Sequence, residues 1–349
     1  MIIFKTNGDE VTLKNTHEIL KEKIDAIPLK PGIYQMKDKE GNIIYVGKSK
    51  TLKSRVKSYF YGEHEREKTK MMVFNIHDID YIVTDTHLEA QILECALIKK
   101  LQPIYNKQFK NDKRYMYLKI ESYNRFKPVS AVYEKENDYC LGPYRSKNIL
   151  FDTVKFFENI YPILKYDNSY DFTYKILPEK MNEDTFEKNR ECLIDIFNNK
   201  ENMEAFLSKL QNDMGKLASE LKFEAATMYR DMIDNIRYLY NNTNQLQEAE
   251  NRKILLGEKI DDGYKVFYIS DDRIILKKKY EKLTEKSLKD FLKKSKEMEV
   301  KSSYIIDEKR NLDFKKIIQN EIKDTESKSI LFVDRNYELS EFINSLNFY

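Results

Sequence analysis

Residues 31–60 read PGIYQMKDKEGNIIYVGKSKTLKSRVKSYF. Two short apolar runs, one holding Tyr34 in Gly-Ile-Tyr and one holding Tyr45 in Tyr-Val-Gly, flank a polar segment from Lys37 to Asn42. That pattern predicts a β-hairpin. Ser49 then offers an N-cap for a helix with Leu52, Val56, Tyr59 and Phe60 on one face. From Tyr45 to Phe60 the chain carries Lys48, Lys50, Lys53, Arg55 and Lys57 and no acid, a strip that attracts phosphate. Arg55 and Tyr59, four apart, are neighbours on the helix.

Upstream, Leu20, Ile24 and Ile27 fall at helical spacing before Pro28 and Pro31. Downstream, a helix is expected over Lys68 to Ile76. The strand-like DIDYIVT follows, with Ile79, Tyr81 and Val83 on one face, then a helix from His87 to Leu101 that Pro103 ends. YMYLKI, PVSAVY and YCLGPY read as strands, and a helix spans Lys147 to Ile160. Residues 161–202 lack a firm period and read as a linker with some helix in it. Met203, Phe206, Leu207, Leu210 and Met214 trace one helical stripe; Leu217, Leu221, Ala225, Met228, Met232, Ile236 and Leu239 trace a longer one, and together they predict a helical hairpin. The tail alternates strands with Lys-rich helices. The class is therefore α+β, divided as 1–110, a β-rich extension 111–160, a linker 161–202, a hairpin 203–240 and a small α/β unit 250–349.

The 349 residues suffice for two or three domains, and 61 basic against 58 acidic residues leave a formal charge of +3, so only local charge points to partners. No run approaches bilayer length and the N-terminus turns polar after four residues; a membrane partner is not expected and the cytoplasm is the expected location. Cys95, Cys140 and Cys192 lie far apart without a CxxC pair, and His17, His64, His77 and His87 show no ligand spacing, which argues against structural zinc and disulfides.

Glu94 sits on an apolar helix face, with Ala90, Leu97, Ile98 and Leu101 at i−4, i+3, i+4 and i+7. Burying an unpaired charge is costly, so it needs a partner, either a basic side chain or a metal ion. Phosphodiester hydrolysis needs a base for water, cations for the charge growing on phosphate, and usually a divalent ion. Tyr45, Lys48 with Arg55, and Glu94 are candidates; for the tyrosines, plain hairpin packing is the other reading. Lys99 to Lys119 holds seven basic residues against Asp112, interleaved with Tyr105, Phe109, Tyr115 and Tyr117, a pattern suited to DNA contact.

The ordered series PGIYQMKD, IYVGKSKTLKSRVKSYF, KTKMMVFNIHDIDYIVT, LECALIKK, QPIYN and LGPYRS, over roughly 115 residues, resembles the GIY-YIG nuclease domain of the UvrC family, the incision subunits of bacterial nucleotide excision repair. The resemblance implies a site of Tyr34, Tyr45, Gly47, Lys48, Arg55, Tyr59, Glu94 and Asn106, all present. It further implies that Glu94 anchors Mg²⁺ or Mn²⁺, that Tyr45 is the preferred general base and Tyr34 its hydrogen-bonding neighbour, with the exchange of those two roles left open, that Arg55 stabilises the transition state, that Tyr59 orients it or the water, and that Asn106 holds its loop. A phenol with the usual pKa of about 10 is about a thousandth ionised near pH ~7, so Lys48, Arg55 and the metal would have to favour the phenolate. Lys50, Lys53, Lys57, Lys110, Lys113 and Arg114 are the expected DNA contacts.

Phe223, Glu224, Ala225 and Ala226 followed by Tyr229, Arg230 and Asp231 resemble the UVR motif through which UvrC binds UvrB, with Thr227 where a second small alanine is usual. An ordinary coiled-coil hairpin is the alternative. With Cys192 the only cysteine in the linker, no iron–sulfur cluster is expected, and the tail leaves no room for the family's second, RNase H-like nuclease. The short homologue Cho is the nearest parallel. The expectation is a cytoplasmic, metal-dependent endonuclease that UvrB places on damaged duplex DNA and that cuts 3′ to the lesion. The rivals are a non-catalytic adaptor for UvrB and DNA and a UvrB-independent GIY-YIG nuclease.

Overall fold

The computed structural model describes residues 20–61, 65–110, 115–167, 169–249, 252–301, 308–324, 328–333 and 338–347. They belong to two compact units, one made of residues 1–111 with 251–349, the other of residues 112–250.

The first unit begins with helical residues 20–26 and a sheet of β1 (Gly32–Lys37), β2 (Ile43–Ser49) and β3 (Asp78–Val83), antiparallel in the order β2-β1-β3. The hairpin closes where expected: the Asp38 carboxylate accepts the Glu40 and Asn42 N–H groups at 3.0 and 2.8 Å, and Gly41 takes the positive φ, 83°, that this turn requires. Register sets Tyr34 opposite Gly47 on one side and Tyr81 on the other. Helix α1 (Leu52–Tyr61) buries Leu52, Val56 and Tyr59 against Tyr34, Met36, Ile44 and the stripe Leu20, Ile24 and Ile27; α2 (Glu67–Phe74) adds Met72. On β3 only Ile79 is buried, whereas Tyr81 and Val83, expected on its face, are exposed. Alternation assigns a side to each residue, but burial there depends on what covers that side, and β3 is an edge strand.

Helix α3 (His87–Leu101) has the predicted span. Thr86 caps it by accepting the Glu89 N–H at 3.2 Å, and it stops at Gln102, whose φ is 51°, ahead of Pro103.

Residues beyond 251 form a second antiparallel sheet of β9 (Lys253–Ile260), β10 (Gly263–Ser270), β11 (Arg273–Tyr280) and β12 (Lys328–Phe332), in the order β11-β10-β9-β12. Leu255, Val266 and Tyr268 face α8 (Glu285–Lys301) and α10 (Leu339–Asn347). The alternate residues Ile254, Leu256, Phe267 and Ile269 share a core with α9 (Glu308–Lys323) and with Leu88, Ile92 and Cys95 of α3. The tail, expected to stand as a separate unit, is thus part of the same unit as residues 1–111. Its strands are apolar on both faces, and one face needs a cover that it does not supply alone.

The second unit holds β4 (Met116–Ile120), β5 (Val129–Val132) and β6 (Cys140–Tyr144), in the order β5-β4-β6, then α4 (Lys147–Asn159), a small hairpin of β7 (Leu164–Tyr166) and β8 (Ser169–Asp171), and helices α5 (Glu183–Asn198), α6 (Lys200–Ser219) and α7 (Phe223–Ala249). One core joins Met116, Leu118 and Leu150 to Phe157, Phe206, Ile236 and Leu239, so the strands expected to extend the nuclease region belong with the helical hairpin. The expected linker is folded as well: Phe186, Leu193, Ile196 and Phe197 are buried. Its asparagines do not loosen the chain; Asn182 accepts the Thr185 N–H at 2.8 Å and Asn199 accepts those of Glu201 and Asn202, capping α5 and α6. Leu221, assigned to the second stripe, is the exposed turn residue between α6 and α7, with a φ of 61°.

Candidate active site

The outer edge of β2 organises the site. On one side β2 pairs with β1; on the other its backbone groups are taken by residues distant in sequence. Ile44 C=O accepts the Tyr105 N–H at 3.0 Å. The Asn106 carboxamide clamps Val46, accepting its N–H at 2.9 Å and donating to its C=O at 2.8 Å. Two residues further on, the Lys48 N–H donates to Glu94 Oε1 at 3.1 Å. Every second residue of a strand presents its backbone to the same neighbour, so residues 44, 46 and 48 hold the loop after α3, and α3 itself, in register with the hairpin.

Above that edge Tyr34, Tyr45 and Tyr59 form a cluster with ring centroids 5.9 to 6.2 Å apart. The Tyr34 and Tyr59 hydroxyls are hydrogen-bonded at 3.0 Å. Gly47 makes room: a Cβ there would overlap the Tyr34 phenol, so no larger residue fits while that ring keeps its place. The Arg55 guanidinium lies 5.1 Å from the centre of the Tyr59 ring, the pairing that i, i+4 spacing allows.

Burial pushes Tyr34 well above the ordinary phenol range, and the neighbouring Tyr45 and Tyr59 add to it while Arg55 opposes. Tyr45 is raised by burial, then by Tyr59 and by the Glu94 charge, again against Arg55. Both are neutral phenols in the resting site, so the cations at hand do not by themselves produce the phenolate that a tyrosine base calls for. Burial also raises Glu94, and Lys48 pulls it down.

Among the described residues no group of three or more His, Cys, Asp or Glu side chains could hold a metal ion. A hard divalent cation of the Mg²⁺ type does not need one, because it keeps several waters and takes one or two carboxylates with substrate phosphate. Glu94 fits that demand. Its side chain is 13% exposed, Oε1 accepts one N–H, and among the described residues Oε2 faces the Lys48 ammonium, at a loose 3.7 Å.

The surrounding lysines differ from expectation. Lys53 Nζ donates to Asp25 C=O at 2.6 Å and Lys57 pairs with the Asp25 carboxylate at 2.8 Å, so both are engaged by the helical segment that precedes the sheet. Lys50 is exposed. Lys110 is partly buried, and burial with the nearby Lys68 lowers its pKa. Lys113 and Arg114 lie outside the described residues.

In the second unit, on α7, Phe223 is 62% exposed and Glu224 and Arg230 are exposed, with Arg230 paired to its exposed neighbour Asp231 at 2.8 Å. Ala225 is half-buried. Ala226 and Tyr229, expected to face a partner, turn inward; the Tyr229 ring meets Phe156 edge-on at 5.8 Å.

Residues 30–107 match the family model described as the UvrC-like GIY-YIG domain, and residues 204–239 match the UvrB/uvrC motif. This chain is a UvrC-type GIY-YIG protein. Among solved structures, the GIY-YIG N-terminal endonuclease domain of UvrC from Thermotoga maritima, bound to its catalytic divalent cation, magnesium, is 39% identical; the match covers 26% of the present chain and 98% of that one, with a TM-score of 0.24. A tyrosine-to-phenylalanine mutant of the same domain, bound to the catalytic divalent cation, is 37% identical over the same shares, with the same TM-score. Among the described residues of this UvrC-type chain, no helix is long and apolar enough to cross a membrane.

Several residues that fix α3 lie outside the motif itself. Glu89 donates its N–H to the Thr86 hydroxyl while its carboxylate accepts the Asp85 N–H at 3.2 Å, a capping arrangement whose signal is readable in Thr-His-Leu-Glu. Lys265 and Asp313, which pair with residues at the two ends of α3, carried no local signal because their partners are more than a hundred residues away.

Proposed function

We propose that this protein is a DNA endonuclease of nucleotide excision repair that hydrolyses a phosphodiester 3′ to a lesion and is placed there by UvrB. The carrying observation is the β2 edge, which fixes Glu94 and Asn106 beside three clustered phenols and a guanidinium. Its UvrC-type membership supports the nuclease role, and the Thermotoga maritima domain, an endonuclease seen with magnesium, supports the cation.

Glu94 would hold Mg²⁺, which when bound supplies Lewis-acid polarisation of a phosphate oxygen. Tyr45, at the more open side of the phenol cluster, would first lose its own proton to solvent and then, as the phenolate, take the proton from the attacking water. Tyr34 passes the hydrogen bond on to Tyr59, and the Arg55 charge beside them favours the ionised form of the phenol and the anionic transition state. Lys48 neutralises phosphate from its place beside Glu94. Asn106 keeps the loop in register, and Gly47 leaves Tyr34 its room. Lys50 and Lys110 would add contacts to the DNA backbone. No iron–sulfur cluster enters this reading.

The exposed Phe223, Glu224, Arg230 and Asp231 form the UvrB-facing surface, with Ala225 at its border, while Ala226 and Tyr229 hold the hairpin in shape. The test is a defined-lesion duplex with the purified partner subunits. A single nick 3′ to the lesion is expected, lost in Tyr45→Phe and in Glu94→Gln with DNA binding retained. A 5′ nick from this chain alone, or unchanged turnover in those variants, overturns the proposal. Deleting residues 223–231 should abolish capture of UvrB; undiminished capture removes the docking assignment.

A further inference from the structure

Helix α3 presents Glu94 to β2 on one side and is gripped on the other by the residues beyond 251. At its N-terminal end Lys265, itself 9% exposed, reaches Asp85 at 2.6 Å and Glu89 at 3.0 Å, and Lys277 reaches Glu89 at 2.6 Å. At its C-terminal end Lys99 pairs with Asp313 at 3.0 Å, both side chains buried, with the ammonium 5.7 Å from the centre of the Phe314 ring. Between these grips, Leu88, Ile92 and Cys95 lie in one core with Leu256, Phe267 and Ile318.

Glu89 and Lys99 are ten residues apart, about 15 Å along the axis, and Glu94 is midway, rotated about 140° from each. The carboxylate therefore projects from the face of α3 that packs on the hairpin through Ala90, Ile98, Ile33 and Val46, opposite the face held by the residues beyond 251. On its own side the ion pair is looser, the Lys48 ammonium standing off at 3.7 Å while the Lys48 N–H donates at 3.1 Å.

We propose that residues 251–349 act as a splint for the metal-holding helix, with Lys265 and Asp313 as positioning residues for Glu94. A carboxylate that must meet a cation within a few tenths of an ångström gains from a helix that cannot shift or roll, and two charged grips with an apolar contact between them fix both motions. The proposal rests on the reading of Glu94 as the metal-holding carboxylate.

The experiment measures Mn²⁺ binding to the full chain, without DNA, from the loss of the free-ion electron paramagnetic resonance signal. Lys265→Met and Asp313→Asn should each weaken Mn²⁺ roughly tenfold, and Lys265→Arg should recover most of the loss, because it restores the charge. Phe291→Ala is the control: it opens the core on the opposite face of the same sheet, so it should lower the melting temperature and leave Mn²⁺ affinity unchanged. Lys277→Ala, at a half-exposed surface position that threatens folding least, should weaken binding by about twofold. Wild-type affinity in folded Lys265→Met, Asp313→Asn or, should those not fold, Lys277→Ala overturns the splint, as does an equal loss in Phe291→Ala. Glu94→Gln separates the two readings, since unchanged Mn²⁺ binding there overturns the metal assignment whatever the other variants do.

Discussion

Two glutamates on one helix, Glu89 and Glu94, are both largely withdrawn from water and are treated in opposite ways. Glu89, 7% exposed, is met by two ammonium groups at 3.0 and 2.6 Å and gives one oxygen to the Asp85 N–H at 3.2 Å. Glu94, 13% exposed, has one N–H and an ammonium held off at 3.7 Å, and burial pushes its pKa up. A carboxylate that only supports the fold gathers short partners until its desolvation is offset. One kept short of partners costs stability, which is tolerable where a ligand completes the set. Closeness of pairing, more than burial, separates the two.

Removing the under-paired member should be costly for chemistry and cheap for folding. Glu94→Gln is expected to lower the nicking rate by at least about a hundredfold while the melting temperature stays or rises; a clear loss of stability would erase the contrast. The well-paired side of the helix should behave in the reverse sense. Asp313→Ala leaves Lys99 buried without its carboxylate and should lower unfolding free energy by about 3–5 kcal/mol in denaturant titration.

A third carboxylate sharpens the comparison. Glu258, on β9, has one buried oxygen without a hydrogen bond, and burial raises its pKa from 4.5 to about 7, with Lys328 opposing. Between those two values the folded protein holds more protons than the unfolded chain, so this residue makes stability fall as pH rises from 4.5 to about 7. Glu258→Gln should flatten that slope and stabilise the protein at about pH 8 by about 1–3 kcal/mol, as read from melts across the range. Smaller still, Gly47→Ala should cost about 1–2 kcal/mol as the Tyr34 ring moves aside, with nicking falling further than that energy alone implies.

How much of this was legible in the sequence depends on how local the signal is. The hairpin, α1 and the limits of α3 follow from turn chemistry, helical spacing and Pro103, and the tyrosines could be named from their place in the motif. The grips on α3 could not: Lys265 and Asp313 look like any solvated charge until the chain is folded. Residues 161–202 misled for a related reason, because asparagines that cap helices have the same composition as asparagines in a loop. The basic strip from Tyr45 to Phe60 holds no acid, so nothing within it signals that Lys53 and Lys57 are engaged; Asp25, which takes both, precedes the strip.

The occupied outer edge of β2 carries one more consequence. An open edge strand is a template for another chain, and this one, with Ile43, Ile44 and Val46, is apolar enough to invite pairing. Tyr105, Asn106 and Glu94 fill it, so the residues that assemble the candidate site also keep the strand from recruiting a neighbour. Asn106→Ala should therefore show itself first in light scattering, as self-association on mild warming, before the remaining fold is lost. In a protein of this design, aggregation and loss of the site would share one cause.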